Sequence, residues 1–248
     1  MKPTIRVPYF EVGTKNYVYG DTLLEYAIAA DKAAEKYDID VLFICSPIEI
    51  RRVRENTKHL IVLAPYMDTL RPGRGMADIL PEGLKAAGAQ GVVINHCEKP
   101  MSLPQMKATI DRARELDMLV FACADTLAEA KAIAQLHPDI INPEPSEIIG
   151  GGNGVSPMAY VKDSIRVIKE IYPDIMVEQA AGRLSVVVVD YLQLLHARAL
   201  GREDAVEYAR ENGYYNLTLN VWACNPSAMR FYEKCGLTVQ KVGMELVL

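Results

Sequence analysis

Seven short, strongly apolar runs, spaced roughly 20–30 residues apart, constrain the fold of this 248-residue chain more than any other feature. They are Ile5–Phe10, Val41–Cys45, Leu60–Ala64, Gly91–Asn95, Leu119–Ala124, Ile140–Pro143 and Ile175–Gln179. Apolar residues occupy both alternating faces, as in strands of a parallel sheet covered on each side. Between the runs lie stretches of helical period. In Thr22–Lys36, for example, Leu23, Tyr26, Ala27 and Ala30 share one face; Met106–Leu116, Leu127–Leu136 and Tyr160–Ile171 follow the same logic. Seven strands with no reversal point favour a closed (β/α) barrel over a doubly wound open sheet.

The rhythm breaks after Gly182. Where a barrel would place a helix, Leu184–Leu192 is strand-like and contains the valines Val186 to Val189. A helical stretch follows at Gly201–Asn212, then an alternating run at Asn216–Trp222. Asn225–Lys234 reads as a short helix with Asn at its N-cap and Pro at its first position, and Leu237–Leu248 reads as a strand. A boundary near residue 183 divides the chain into a barrel-like segment, 1–183, and a tail, 184–248. No Gly/Ser-rich linker marks it.

Composition narrows the partners. A net charge of -5 works against attraction to nucleic acid or an anionic membrane, and no apolar run approaches the ~20 residues that span a bilayer. The five cysteines, Cys45, Cys97, Cys123, Cys224 and Cys235, contain no C-x-x-C pair, and the N-terminus shows no signal-peptide core. They read as free thiols of a cytoplasmic protein. His59, His137 and His196 share no metal-ligand spacing, so no metal is expected.

Three strand ends carry chemistry: Gly91-Val-Val-Ile-Asn-His96-Cys97-Glu98-Lys99, then Asn142-Pro-Glu144-Pro-Ser-Glu-Ile-Ile-Gly150-Gly-Gly-Asn-Gly-Val-Ser156, and Phe10-Glu-Val-Gly-Thr-Lys15-Asn-Tyr17. The first resembles the strand-four end of triosephosphate isomerases of the shorter archaeal type, usually Asn-His-Ser-Glu, with Cys97 for the serine and Lys99 for an arginine. The second resembles that family's strand-six end and lid loop. The third is a looser match to the family's Asn-x-Lys-x-Tyr, with Gly13 in place of the asparagine. Moving a proton between adjacent carbons of a sugar needs a base, an electrophile to polarise the carbonyl, and a cation to help hold phosphate.

The resemblance assigns these roles to Glu144, His96 and Lys15, in the established pairing of this family. It gives phosphate contacts to Gly150, Gly151, Gly152 and Ser156, with Gly182 adding a donor. Cys97 reads as a serine-sized packing residue, since no triad partner accompanies it. The implied substrate is a small phosphorylated sugar, and the isomerase chemistry implied by the resemblance needs no organic cofactor. The likeness stops near residue 183, and the glycine-rich eighth strand that completes a phosphate site is not recognisable. The barrel is therefore expected to be incomplete, or completed atypically by the tail strand Val186–Tyr191.

The tail Leu217-Thr-Leu-Asn-Val-Trp222-Ala-Cys-Asn225-Pro-Ser-Ala228-Met-Arg-Phe231-Tyr232-Glu-Lys-Cys-Gly236 resembles the acetyl-CoA-binding half of GNAT N-acetyltransferases. That likeness would put Asn225 on the CoA arm and Tyr232 at the leaving thiolate. The same pattern also packs a short helix against a sheet. Ala199 crowds the place where a pyrophosphate loop needs glycine, and about 65 residues are too few for the whole domain. The leading expectation is an isomerase weakened by loss of its last phosphate-binding strand. An acetyl-CoA-binding module and an inactive chimera are the alternatives. An unpaired apolar strand edge in the tail would favour a homo-oligomer.

Overall fold

The computed structural model describes residues 2–7, 9–145 and 158–178. The chain divides into two units, Met1–Val188 and Val189–Leu248, and the described residues all belong to the first. The GNAT-like segment, with Asn225 and Tyr232, lies outside them, as does the proposed eighth strand.

Seven strands form one parallel sheet in sequence order: β1 (Tyr9–Gly13), β2 (Asp40–Ile44), β3 (Leu60–Ala64), β4 (Gly91–Ile94), β5 (Leu119–Ala124), β6 (Ile140–Pro143) and β7 (Met176–Val177). Helices α1 (Gly20–Tyr37), α2 (Ile50–Asn56), α3 (Pro81–Ala87), α4 (Leu103–Glu115), α5 (Leu127–Ala134) and α6 (Met158–Ile171) make the crossovers. Strands β3 through β6 are buried along their whole length, which is why their sequences show no polar alternation.

The sheet curls. Leu42, Ile61, Leu63, Val93, Leu119, Phe121, Cys123 and Ile140 form one apolar cluster, drawn from β2 to β6, and both Tyr9 of β1 and Met176 of β7 pack against it. In a flat sheet the first and seventh strands would stand roughly 29 Å apart at the usual inter-strand spacing. Packing on a common cluster requires the two edges to turn toward each other. Lys2 also reaches Asp139, just before β6, with its Nζ 2.6 Å from Oδ1. Among the described residues β1 pairs only with β2 and β7 only with β6, so they make an open part of a barrel.

Local chemistry sets the element ends. Helix α1 buries Leu23, Ala27, Ala30 and Ala34, a stripe at helical spacing, and stops at Asp38 in the left-handed region. Helix α4 starts three residues earlier than the apolar period suggests. Ser102 and Gln105 form a reciprocal capping box there, and a proline occupies the first turn. Strand β1 runs over Tyr9–Gly13 rather than Ile5–Phe10. The earlier residues are held by a carboxylate instead of a ladder: Arg6 N–H and its guanidinium both donate to Asp40. Gly91 is fixed by close approach, since a Cβ there would stand 2.9 Å from the Leu119 carbonyl oxygen on β5.

Candidate active site

The C-terminal ends of β1, β4, β6 and β7 gather the polar groups, at the end where parallel barrels carry their chemistry. Following β1, Thr14 donates through its backbone N–H and its hydroxyl to the Ile44 carbonyl of β2, and this anchors the turn. Lys15 then takes a φ of 47°, a conformation that non-glycine side chains rarely adopt without support. Its Nζ lies 3.3 Å from Glu98 Oε1, tying the β1 turn to the loop after β4.

His96 follows β4 through Asn95, which is buried and left-handed, with φ at 58°. The Asn95 amide donates to the Cys123 carbonyl at 3.0 Å and to Glu129 Oε1 at 2.9 Å. Its own oxygen accepts from Met101 N–H at 2.8 Å. Asparagine is among the few residues that tolerate this backbone region, and here its side chain also clamps three segments. The imidazole is then fixed locally: Glu98 N–H donates to His96 Nδ1 at 3.2 Å. An Nδ1 that accepts must carry no proton, so the neutral ring presents Nε2–H as a donor. Burial first, and Lys15 second, lower the His96 pKa below its ordinary value, partly offset by Glu98.

Glu144 stands immediately past β6 between Pro143 and Pro145, and the following proline favours an extended backbone. Its N–H donates to the Ala124 carbonyl at 2.8 Å, and buried Asn142 donates to its Oε2 at 3.2 Å. Two further carboxyls face the same interior. Glu11 of β1 is pushed up to about 8, by burial and then by Glu178 and Glu144. Glu178, just past β7, is pushed up to about 7, again by burial first, with Glu144 adding to it and Tyr9 opposing it. Lys15 acts on both His96 and Glu11, and Glu144 on both Cys97 and Glu11, so the groups share one electrostatic neighbourhood.

The structure thus brings together the sequence-predicted Lys15, His96 and Glu144. Gly150, Gly151, Gly152, Ser156 and Gly182 lie outside the described residues. Cys97 differs from its expected packing role: it is exposed, with Sγ 3.8 Å from His96 Nδ1. Asn95, Asn142, Glu11 and Glu178 are the members that motif reading passes over. A glutamate within or at the end of a buried parallel strand is itself the signal for the last two. Among the described residues no three His, Cys, Asp or Glu side chains are placed to hold a metal ion, and no helix is long and apolar enough to cross a membrane.

Asn95→Ala is expected to destabilise the fold by about 3 kcal/mol, from a left-handed alanine plus buried groups left without partners. Asn95→Gly should cost less, because it relieves only the backbone component. Urea unfolding of the two variants checks this; an alanine variant within 1 kcal/mol of the parent would show that Asn95 clamps nothing.

A seven-stranded parallel sheet that curls, with crossover helices between its strands, places this protein in the (β/α)-barrel class. The chain belongs to the triosephosphate isomerase family, which its residues 14–188 match. It is 34% identical over 171 residues to the triosephosphate isomerase of Methanocaldococcus jannaschii, covering 68% of this chain and 78% of that protein. The Methanopyrus kandleri triosephosphate isomerase is 33% identical over 184 residues, covering 72% and 81%. That of Pyrobaculum islandicum is 29% identical over 182 residues, covering 72% and 79%.

Proposed function

We propose that this chain is an aldose–ketose isomerase that interconverts a three-carbon sugar phosphate pair by proton transfer through an enediolate. Glu144 is the base, His96 the electrophile and Lys15 the cation beside the developing negative charge. The supporting observation is the bond from Glu98 N–H to His96 Nδ1. It leaves Nε2–H, on a ring whose charge is disfavoured, as the group aimed at a carbonyl oxygen.

The sequence of events follows from these groups. Glu144 takes the proton from the carbon next to the carbonyl while the His96 Nε2–H bond strengthens on the oxygen that becomes negative. The same carboxylic acid returns a proton to the former carbonyl carbon, while His96 gives its Nε2 proton to the first oxygen and takes the hydroxyl proton from the second, ending neutral again. Asn142 holds the carboxylate in place throughout. We assign the phosphate group to Gly150, Gly151, Gly152, Ser156 and Gly182 by their resemblance to the family's lid and strand-seven turn.

Incubation with glyceraldehyde 3-phosphate in deuterium oxide tests the reading. A proton held on a carboxyl exchanges with solvent, so the ketose product should carry deuterium on carbon. Turnover that leaves every carbon-bound hydrogen in place would replace this route with a hydride shift, and no turnover at all would overturn the proposal.

A further inference from the structure

Glu11 and Gly13 lie on the same face of β1, two residues apart, with Lys15 next in that series at the turn. Gly13 is not among the residues with positive φ, so the backbone does not demand glycine there. A Cβ built on Gly13 would stand 2.8 Å from Glu11 Oε1, so a side chain there would need the Glu11 carboxyl to move aside. The carboxyl of Glu11 fills the volume that a side chain at position 13 would take. Position 13 is also where the family motif Asn-x-Lys-x-Tyr has its asparagine, and the family match begins only at residue 14.

We propose that Glu11 is a substrate-facing hydrogen-bonding residue of the isomerase site, its carboxyl replacing, from two residues upstream, the side chain that Gly13 lacks. The inference rests on the isomerase reading above. The groups around Glu11 say which form it takes. They are Tyr9 and Lys15 from its own strand and turn, Cys123 of β5, Glu144 after β6 and Glu178 after β7; its partner on β2, Leu42, is apolar. Burial first, and then two carboxyls set against one cation, keep the proton on Glu11 at neutral pH. A protonated carboxyl offers an O–H donor beside a carbonyl acceptor, as a carboxamide offers N–H donors beside one. It can donate to an oxygen of the triose without adding a fixed negative charge beside the enediolate. As Glu11 ionises near pH 8, the donor is lost and a repelling charge takes its place.

The test is a set of variants assayed with glyceraldehyde 3-phosphate between pH 6 and 9.5. Glu11→Val should lower kcat/KM about 10- to 100-fold, the worth of one hydrogen bond to a charge-bearing oxygen. Glu11→Gln should recover most of that loss and remove the decline of the parent above pH 8. Glu11→Val combined with Gly13→Asn should likewise recover activity. Parent-like kcat/KM in folded Glu11→Val, or a parent-like pH profile in Glu11→Gln, would overturn the inference, and the glutamine profile decides alone if the valine variant does not fold. An inactive Glu144→Gln beside a parent-like Glu11→Val sinks this inference while leaving the isomerase reading standing; a parent without turnover sinks the isomerase reading itself. Should the parent show no turnover, the readout is the carboxyl 13C resonance that Glu11→Gln removes. Its movement on titration with glycerol 3-phosphate supports the placement, and a resonance that stays put overturns it.

Discussion

Glu144→Gln is expected to lower kcat for glyceraldehyde 3-phosphate isomerisation by roughly 10³-fold with little change in KM, the usual worth of a positioned general base. Glutamine keeps the size and the accepting oxygen. The Asn142 amide, now 3.2 Å from Glu144 Oε2, therefore retains a partner. The backbone between Pro143 and Pro145 and the bond from residue 144 N–H to the Ala124 carbonyl do not involve the side chain. What disappears is basicity alone, since a carboxamide does not take a proton from carbon. An interaction made only as the proton moves shows up in kcat, whereas lost substrate binding would raise KM. Steady-state kinetics of the two proteins at pH 7.5 checks this. A variant within five-fold of the parent kcat would mean that another group is the base.

The parts of this site that a sequence reader can find are those held within one short segment. Asn95, His96 and Glu98 adjoin one another, and Pro143-Glu144-Pro145 is a local motif, so their chemistry is visible as text. Strands β3, β5 and β6 are legible to the residue for a similar reason: burial on both faces writes an unbroken apolar run. Strand β1 is not, because Ile5 to Val7 look equally strand-like, and it is the Asp40 carboxylate, far along the chain, that takes the Arg6 N–H and guanidinium. Glu11 and Glu178 are opaque for the same physical reason. Each looks like an interruption in an apolar strand until the sheet curls and sets both beside Glu144. Asn142 reads as one more strand residue, although it is the one that holds the Glu144 carboxylate.

That convergence of carboxyls has a consequence for stability. Glu11 and Glu178 have their folded pKa values raised to about 8 and about 7, chiefly by burial, whereas unfolding returns them to the ordinary carboxylate range near 4.3. A group whose pKa is higher in the folded state holds its proton there while the unfolded chain ionises. Its stabilising effect is fully present below about pH 4.3 and is lost as pH rises through the folded value. Each group contributes a slope of about 1.36 kcal/mol per pH unit inside its window. Allowing for their coupling and partial contact with solvent, the chain is expected to lose on the order of 4 kcal/mol between pH 5 and 8. His96 acts in the opposite sense below pH 6.5, because its lowered pKa makes the unfolded state the better proton binder there. The fall should therefore be clearest from pH 6.5 to 8. Urea unfolding across this range, for the parent and for Glu11→Gln with Glu178→Gln, separates these carboxyls from every other titrating group. The parent should lose stability as pH rises and the double variant should stay nearly level through the same interval. A parent whose unfolding free energy holds constant from pH 6.5 to 8 would mean that these two carboxyls are ionised in the folded protein, and the neutral donor assigned to Glu11 would fall with them.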